Sequence, residues 1–513
     1  MDAKVLLAAV AVAMPALLVV VLSKLKSLLL DAKTAPKLNL PPGPWTLPLI
    51  GSIHHLVTSP SIYRAMRRLS QRHGPVMMLR LGEVPTVVIS SPAAAQEVMK
   101  THDIAFADRH INPTVAMITY NGTDVVFAPY GERWRQLRKI CVLELLSVAR
   151  VQSFRPIRED EVARLMRRLA AAGGAGEPVD LTRMIARFIN DTFVRESIGS
   201  RCKYQDEYLD AFETAVRQTS VLTLADLFPS SRLMQLLGSA PRRALACRNR
   251  IQRILEQILQ EKKDDMDRGD RAAAGHEGFV EVLLRLQEEG TTPIPLTNDT
   301  IVAILFDMFG GGSETSSTTL NWCMTELLRN PAAMAKAQAE VREACKGKSR
   351  ITEDDLEGLS YLKLVIKEVL RLHTPSPILL PRLCRETCKI MGYDIPKGTV
   401  LFTNVWAIGR DPKYWDDPEE FKPERFQDNQ RDYKGTNYKY LPFGAGRRIC
   451  PGINLGVGNF ELALASLLYH FDWKLPNGME PKDIDVWEAA GMIASKKTHL
   501  VLHPVTRISP ATE

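Results

Sequence analysis

The chain has 513 residues, of which 45% are hydrophobic, so it holds enough apolar side chains for one large core or two domains. Its 66 basic and 59 acidic residues leave a formal charge of +7, which is modest for this length and argues against nucleic-acid binding. Such a charge suits a membrane surface or an acidic partner. The eight cysteines form no C-x-x-C pair, so the sequence predicts no disulfide framework and fits a reducing compartment.

The N-terminal residues have the pattern of a membrane anchor. The run Val5–Leu22 contains no charged or polar residue and is just long enough to span a bilayer. Lysines follow the run at positions 24, 26, 33 and 37, whereas only Lys4 precedes it, so the positive-inside rule places the rest of the chain in the cytosol. We therefore expect residues 1–30 to form an anchor. A cleaved signal peptide is the alternative, although no clear small-residue cleavage site precedes the lysines.

A linker with a proline-rich hinge follows the anchor, over residues 31–44. It ends in Pro41-Pro42-Gly43-Pro44, a stiff segment that cannot continue a helix. An ordinary surface turn is the alternative interpretation.

Beyond the hinge, most of the chain has helical periodicity. Two short apolar runs, Val76–Leu81 and Thr86–Ile89, predict a β-hairpin. The periodic segments predict helices at Ile62–Leu69, Gln136–Leu146 and Glu159–Leu169, and further helices between Arg201 and Lys263 with a break at Phe228–Ser230. Small residues and glycines predict loops at Ala170–Gly176 and Arg271–Gly278.

The helix predicted to begin near Tyr130 carries two pairs of residues. Trp134 and Arg138 are four apart and share a face. Arg135 and Lys139 occupy a neighbouring face. Core packing of the tryptophan and a solvated basic surface are the alternatives to a functional role.

An apolar run, Ile301–Phe309, is interrupted only by Asp307 and leads into three consecutive glycines. Each glycine costs a helix interior about 0.8–1.0 kcal/mol relative to alanine, so three together require a reason. The next residues include Glu314 and Thr315, and an alcohol backed by a carboxylate can relay protons through water. The alternative is a helix that ends at the glycines.

Glu368 and Arg371 lie three residues apart within a predicted helix, Tyr361–Leu372. A single pair with this spacing is usually a surface salt bridge of little energetic value. A Pro-Glu-Arg-Phe sequence that contains Arg425 follows further along the chain.

The most specific feature is a glycine-rich loop, Pro442–Gly452, that contains Cys450. Two arginines precede the cysteine, and an apolar run suited to a helix, Ile453–Leu468, follows it. A cysteine at a helix start and beside arginines is expected to have a depressed pKa. The resulting thiolate would be a soft ligand suited to iron. A buried free cysteine after a glycine turn is the alternative.

Together these motifs resemble those of the cytochrome P-450 family, the haem-thiolate monooxygenases. The loop matches F-x-x-G-x-R-x-C-x-G, and the glycine stretch matches [AG]-G-x-[DE]-T-[TS]. The matching residues are Phe443, Gly446, Arg448, Cys450 and Gly452 in the first motif and Gly311, Gly312, Glu314, Thr315 and Ser316 in the second. The resemblance extends to about His503 and is strongest to plant microsomal enzymes, in particular grass enzymes that oxidise terpenoids.

The resemblance implies a mainly α fold with small β-sheets over residues 45–513, with haem b as cofactor and Cys450 as its axial ligand. Thr315 would be the catalytic alcohol and Glu314 the relay, while Glu368, Arg371 and Arg425 would form a buried structural network. The residues implied to contact haem are Trp134, Arg138, Arg382, Phe443, Gly446 and Arg448. Those implied to face substrate are Met117, Val125, Gly311, Ile378, Leu379, Met492 and Ile493, with plain core packing as the alternative for each.

The expected reaction inserts one oxygen atom from O₂ into a lipophilic substrate, a sesquiterpenoid or diterpenoid, at the endoplasmic reticulum membrane. No nucleotide-binding fingerprint is present, so electrons from NADPH would come through cytochrome P-450 reductase, with cytochrome b5 as a further candidate partner. The basic pair Arg135 and Lys139 could meet the reductase. A haem-thiolate isomerase or dehydratase and a non-catalytic haem-binding protein are the alternatives. Val486-Trp487-Glu488 departs from the methionine-threonine-glutamate run of many relatives.

Overall fold

The computed structural model describes residues 38–219, 223–237, 240–268, 277–428, 431–476, 478–489 and 491–511. The predicted anchor at 1–30 and most of the linker lie outside these residues. Within the described ranges, no helix combines the length and the apolar character needed to cross a bilayer.

Helices make up most of the described chain. The α-helices are Ile53–Leu56, Ile62–His73, Pro92–Gln96, Pro113–Ile118, Glu132–Ile140, Val148–Ser153, Arg155–Gly174, Leu181–Ile198, Gln205–Thr219, Leu224–Leu227, Arg232–Leu237, Ala240–Asp267, Phe279–Glu289, Asn298–Arg329, Pro331–Ala344, Ser360–Leu372, Val405–Ile408 and Ile453–His470. Short 3₁₀ or π segments are Glu97–Thr101, Cys141–Leu145, Glu353–Leu356, Pro423–Phe426, Gly446–Arg448 and Pro481–Asp483.

Ten short strands form three small sheets within the described ranges. They are β1 (Val76–Leu81), β2 (Val84–Ile89), β3 (Asp108–Arg109), β4 (Val179–Asp180), β5 (Arg382–Leu383), β6 (Cys388–Ile390), β7 (Tyr393–Ile395), β8 (Val400–Thr403), β9 (Phe471–Lys474) and β10 (Val501–Thr506). The largest sheet has the order β1-β2-β8-β5-β3, and the others are β4-β10-β9 and β6-β7. The antiparallel pairing of β1 with β2 confirms the predicted hairpin.

The helix Asn298–Arg329, here called the central helix, organises the core. Every residue from Thr300 to Phe309 and from Thr318 to Leu328 is buried. The first stretch belongs to one hydrophobic cluster and the second to another. The glycine-containing stretch at 310–317 therefore lies between the two packed halves of the helix. A cavity at this stretch would leave both hydrophobic clusters intact.

Several predicted boundaries agree with the structure and others do not. The break at Phe228–Ser230 is confirmed, since one helix ends at Leu227 and the next begins at Arg232. The loop predicted at 170–176 is wrong, because the preceding helix continues to Gly174 through alanines, which are the strongest helix formers. The alternative of a helix end at the three glycines is also wrong, since the central helix runs through them. Most of the loop predicted at Arg271–Gly278 lies outside the described residues.

Glu368, Arg371 and Arg425 meet in a buried network, as the resemblance implies. Arg371 donates to both Glu368 carboxylate oxygens at 2.8 Å, and Arg425 Nε donates to one of them at 2.9 Å. Arg371 also donates to the carbonyls of Gly409 and Pro418. Both members of the first pair are fully buried, so the network differs from an ordinary surface salt bridge.

Replacing Glu368 with alanine should lower the free energy of unfolding by about 3–5 kcal/mol, because two buried arginines would lose their counter-charge. The pair Lys336–Glu424 offers a control, since its side chains are 59% and 37% exposed, whereas Glu368 and Arg371 are fully buried. Glu424→Ala should cost about 1 kcal/mol or less. Urea denaturation followed by tryptophan fluorescence would measure both changes. Equal losses for the two variants would contradict the proposed structural role of Glu368.

Candidate active site

Two glycines shape the cysteine loop. Gly444 and Gly446 have φ angles of 71° and 69°, in the left-handed region. A Cβ atom on Gly446 would lie 2.4 Å from the Met99 carbonyl oxygen, so only glycine fits there. The Cys450 N–H donates to the Phe443 carbonyl at 3.0 Å, which closes the loop just before the helix Ile453–His470. The Phe443 ring packs edge-on against Tyr433, with 5.5 Å between the ring centroids.

Burial raises the pKa of the Cys450 thiol, whereas the Gly452 N–H and the charge of Arg138 lower it by smaller amounts. The predicted depression of this pKa is therefore wrong for the protein chain by itself. Arg447 supplies less positive charge than the sequence suggests, because its guanidinium pairs with Asp103 at 2.9 Å. A metal ion deprotonates a thiol that coordinates it, so a half-buried thiol with a raised pKa is compatible with metal ligation.

Four arginines form a positively charged group next to this loop, here called the arginine cluster: Arg109, Arg138, Arg382 and Arg448. Pairing of β3 with β5 places Arg109 directly opposite Arg382. Burial, and then the charges of the other three arginines, hold the pKa of Arg109 well below its usual range. Burial and the charge of Arg382 lower the pKa of Arg448 to about 10. Arg382 has one carboxylate partner, Asp103, at 3.3 Å.

Most hydrogen bonds of the arginine cluster end on neutral carbonyls. These satisfy the N–H donors but add no negative charge, so the charge of the cluster is only partly compensated, by Asp103 beside Arg382 and by the nearby Asp108 and Asp124. Such a partly compensated charge is costly in a buried site. The bonds are Arg109 to Leu380 at 2.7 Å, Arg382 to Ala445 at 2.9 Å, Arg448 to Ala107 at 2.7 Å and Arg138 to Ile449. The cluster therefore fits a buried ligand that carries anionic groups, and haem has propionates of this kind.

Trp134 joins the cluster through its ring. The Arg448 guanidinium lies 4.3 Å from the centre of that ring. The indole N–H donates to the Val125 carbonyl at 3.0 Å, so the tryptophan is buried but fully satisfied. Trp134 and Arg138 of the helix Glu132–Ile140 thus lie close to Arg448 of the cysteine loop.

The three glycines of the central helix have different surroundings. A Cβ atom on Gly310 would lie 2.5 Å from the Phe212 ring, and one on Gly312 would lie 2.2 Å from the Phe193 ring. These two glycines therefore allow neighbouring aromatic side chains to pack against the helix. A Cβ atom on Gly311 would meet no atom within 4 Å. Of the three, only Gly311 fits the expectation that glycine leaves room for a small ligand.

Thr315 lies one turn after Gly311 and borders the same opening. Its hydroxyl donates to the Gly311 carbonyl at 2.6 Å, which fixes the orientation of the oxygen atom. Burial, and then the charge of Glu213, raise the pKa of the Glu314 carboxyl. A raised pKa suits a group that must hold a proton near neutral pH. In the described structure the Glu314 carboxyl and the Thr315 hydroxyl are not bonded to each other, so a water molecule would have to join them.

The residues expected to face substrate are not equally placed. Val125 is buried and Met117 half-buried in the hydrophobic cluster that contains the first half of the central helix. Leu379 lies against the cysteine loop and has a φ of 50°, which is uncommon for a bulky side chain. Ile378 packs instead against the cluster built around β1 and β2, so its contacts match the core-packing alternative. Met492 and Ile493 are half-buried.

Two buried aspartates of the site were not predicted. Asp307 accepts hydrogen bonds from the Val125 and Val126 N–H groups at 2.7 and 3.0 Å, and so fastens their loop to the central helix. Burial, followed by the charge of Asp124, raises the pKa of Asp307 well above its usual range. Burial also raises the pKa of Asp124 to about 7. A charged residue within the apolar run Ile301–Phe309 was the sequence signal for this contact.

Comparison with known proteins agrees with these features. The cytochrome P-450 family model matches residues 41–502. Dolabradiene monooxygenase of Zea mays is 67% identical over 512 residues, covering 99% of this chain and 99% of the relative. Zealexin A1 synthase of Zea mays is 66% identical over 512 residues with the same coverage of 99% and 99%.

A solved structure of a zebra fish cytochrome P-450 with abiraterone superimposes with a TM-score of 0.71 at 26% identity, covering 87% of this chain and 99% of that one. The cofactor of this family is haem, which agrees with the half-buried Cys450 thiol and the arginine cluster. The chain therefore belongs to the cytochrome P-450 family and is a haem-dependent monooxygenase.

Proposed function

We propose that this enzyme inserts one oxygen atom from O₂ into a sesquiterpenoid or diterpenoid, while the other oxygen atom is reduced to water. The observation that carries the substrate class is the identity to the two maize enzymes over almost their whole lengths. The apolar side chains of Met117, Val125 and Leu379 agree with a hydrocarbon substrate, because burying apolar surface contributes about 25 cal/mol per Å².

In this proposal Cys450 would ligate the haem iron. Arg138, Arg382 and Arg448 would hold the propionates together with Trp134, and Gly446 allows the tight turn that presents the cysteine. Arg109 joins this set, because the pairing of β3 with β5 places it directly opposite Arg382. Bound haem supplies the activation of O₂, and a thiolate ligand favours cleavage of the O–O bond.

Residues of the chain itself leave an opening beside the central helix and transfer protons there. Gly311 leaves the opening beside the central helix, and Thr315 presents its hydroxyl there. Glu314, whose pKa burial raises, can pass a proton to the Thr315 hydroxyl through water. The apolar residues around the opening exclude bulk water and orient the substrate.

Electron transfer would occur at the outer face of the helix Glu132–Ile140. Arg135 and Lys139 are exposed on this face, whereas Trp134 is buried on the other side. An acidic surface of NADPH-cytochrome P-450 reductase would be complementary to these two cations. Cytochrome b5 would compete for the same surface.

The enzyme would be held at the endoplasmic reticulum membrane by residues 1–30, with the catalytic domain in the cytosol. A second attachment would come from apolar side chains near the hinge, because Trp45 and Val57 are 63% and 73% exposed.

Deleting residues 1–30 should give a haem-loaded protein that high salt extracts from membranes more readily than the full chain. The expected cause is the loss of the uncharged run Val5–Leu22. Salt and alkaline-carbonate extraction followed by immunoblotting would measure the bound fraction. A truncated protein that resists extraction like an integral protein would contradict the anchor. Replacing Trp45 and Val57 with serine in the truncated chain would then test the second attachment.

The substrate class is tested with microsomes that contain the chain and a plant reductase. Incubation with a panel of sesquiterpene and diterpene hydrocarbons, followed by mass spectrometry, should give oxygenated products that depend on NADPH. Conversion without NADPH would favour an isomerase or dehydratase, and no NADPH use with any substrate would favour a haem-binding protein. The intact pair Glu314 and Thr315 favours the monooxygenase, because isomerases of this kind tend to lack it.

A further inference from the structure

We infer that Trp322 is a positioning residue that fixes the C-terminal turn at residues 491–494 and thereby influences which carbon of the substrate is oxidised. This inference rests on the proposed function and on the family resemblance, which implies that Met492 and Ile493 of that turn face the substrate. Trp322 belongs to the second, fully packed half of the central helix, outside every motif identified in the sequence.

Trp322 makes a direct bond to the turn. The side chain is fully buried, and its indole N–H donates to the Ala494 carbonyl at 2.8 Å. The Ala494 N–H in turn donates to the Pro375 carbonyl at 2.9 Å. Ala494 is therefore held on both sides of its backbone, and one of the two bonds comes from a side chain. Met492 and Ile493 directly precede this fixed point.

A second residue pair holds the indole in place. The His373 ring stacks on Trp322 with 3.9 Å between the ring centroids and 6° between the planes. His373 Nε2 is bonded to a Glu326 carboxylate oxygen at 2.7 Å, and the other Glu326 oxygen accepts from Asn330 at 3.2 Å. Buried polar groups that are linked in this way leave little freedom to the ring between them.

The same face of the central helix also carries the oxygen-handling residues. Thr315, Trp322 and Arg329 recur every seven residues, which is close to two helical turns or about 10 Å. Arg329 donates to the Ile484 carbonyl, where the C-terminal segment begins. One rigid helix thus sets the distance between the Thr315 hydroxyl and the turn that faces the substrate.

The turn lies at the tip of a hairpin within residues 487–497, and separate hydrogen bonds hold the base of this hairpin. The Ala489 N–H donates to the Ser495 carbonyl at 2.7 Å and the Lys497 N–H donates to the Trp487 carbonyl at 2.8 Å. Glu488 accepts from Arg64 at 2.8 Å and from Tyr63. Losing the Trp322 bond should therefore loosen the tip while the base of the hairpin remains folded.

Trp322→Phe tests the inference because it keeps a buried aromatic ring and removes the N–H donor. Trp473→Phe is the matched control, since that indole donates to the Leu467 carbonyl at 3.2 Å, away from the turn. We expect Trp322→Phe to change the ratio of oxidised products roughly three- to tenfold, which is the factor that corresponds to the net free energy of one hydrogen bond. Trp473→Phe should leave the ratio unchanged even if both variants lower the thermal midpoint equally.

Hydrogen exchange gives a readout that needs no substrate. Amides in a peptide covering residues 487–497 should exchange faster in Trp322→Phe than in the unaltered enzyme or in Trp473→Phe. Unchanged exchange, or an equal rise in both variants, would overturn the inference even if the unaltered enzyme oxidises none of the terpenes. Failure of the unaltered enzyme to oxidise any terpene counts against the proposed substrate class, and not against the role of Trp322. A failure of the inference can therefore be distinguished from a failure of the proposed function.

His373→Gln provides a second variant if Trp322→Phe does not load haem. It keeps a donor for Glu326 and removes the ring that stacks on Trp322. Faster exchange at the turn and a product ratio shifted in either direction support the inference. An unchanged product ratio together with unchanged exchange overturns it.

Discussion

Replacing Cys450 with alanine should abolish product formation and remove the long-wavelength absorption band that reduced thiolate-ligated haem shows with carbon monoxide. The structure places this one thiol in the glycine-rich loop beside the arginine cluster, where an alanine methyl group can bind no metal. The fold of the loop should survive, because the closing bond joins the backbone of residue 450 to the Phe443 carbonyl at 3.0 Å.

Cys323→Ala is the matched control, since Cys323 is a fully buried free thiol in the central helix. It should keep the band and the activity. Difference spectra of the two variants, with haem content measured alongside, would make the comparison. An undiminished band in Cys450→Ala would assign the ligand to another residue.

Thr315→Ala should uncouple NADPH use from product formation while the substrate still produces its spectral change. The Thr315 hydroxyl borders the opening at Gly311 and is the alcohol that can pass protons there. General acid–base groups contribute about 10²–10⁴-fold, which sets the scale for the slower proton delivery. Reduced oxygen should then escape as hydrogen peroxide. Product formed per NADPH, with peroxide assayed alongside, measures the effect.

Two further variants separate proton delivery by Thr315 from a structural or substrate-binding role. Thr315→Ser keeps a hydroxyl and should recover much of the coupling. Thr319→Ala removes the same group from a buried position one turn further, where the hydroxyl donates to the Thr315 carbonyl at 2.9 Å, and should leave coupling intact. If Thr315→Ala remains as well coupled as the parent, the relay role is wrong. If it loses the spectral change with coupling intact, Thr315 belongs to the substrate pocket.

Features encoded by short stretches of sequence could be predicted. The hairpin, the helix break at Phe228–Ser230 and the glycine-rich cysteine loop each depend on residues close together in the chain. The meeting of Glu368 with Arg425 was also predicted, but only through resemblance to a family, because their contact joins distant segments.

Features that depend on long-range pairing could not be predicted. Arg109 enters the site because β3 pairs with β5, and nothing near it in the sequence indicates this. The pKa of Cys450 was mispredicted because burial, which depends on the packing of distant segments, raises it. Asp103 also pairs with Arg447, and the two lie 344 positions apart in the chain.

The three consecutive glycines of the central helix are needed for two different structural reasons. Gly311 borders an opening, whereas Gly310 and Gly312 accommodate aromatic rings from two other helices. A sequence pattern cannot separate these causes, because the rings come from distant positions. Ile378 is a similar case, since its apolar side chain suits a core as well as a pocket.

The central claim is that the chain transfers one oxygen atom from O₂ to a terpenoid at the expense of NADPH. Heavy-oxygen-labelled O₂ tests it directly, in microsomes that contain the chain and a plant reductase. We expect each newly formed hydroxyl to carry one labelled atom, and the product to disappear when NADPH or reductase is omitted. The same product formed without O₂ or NADPH, or with its oxygen drawn from labelled water, would contradict a monooxygenase activity.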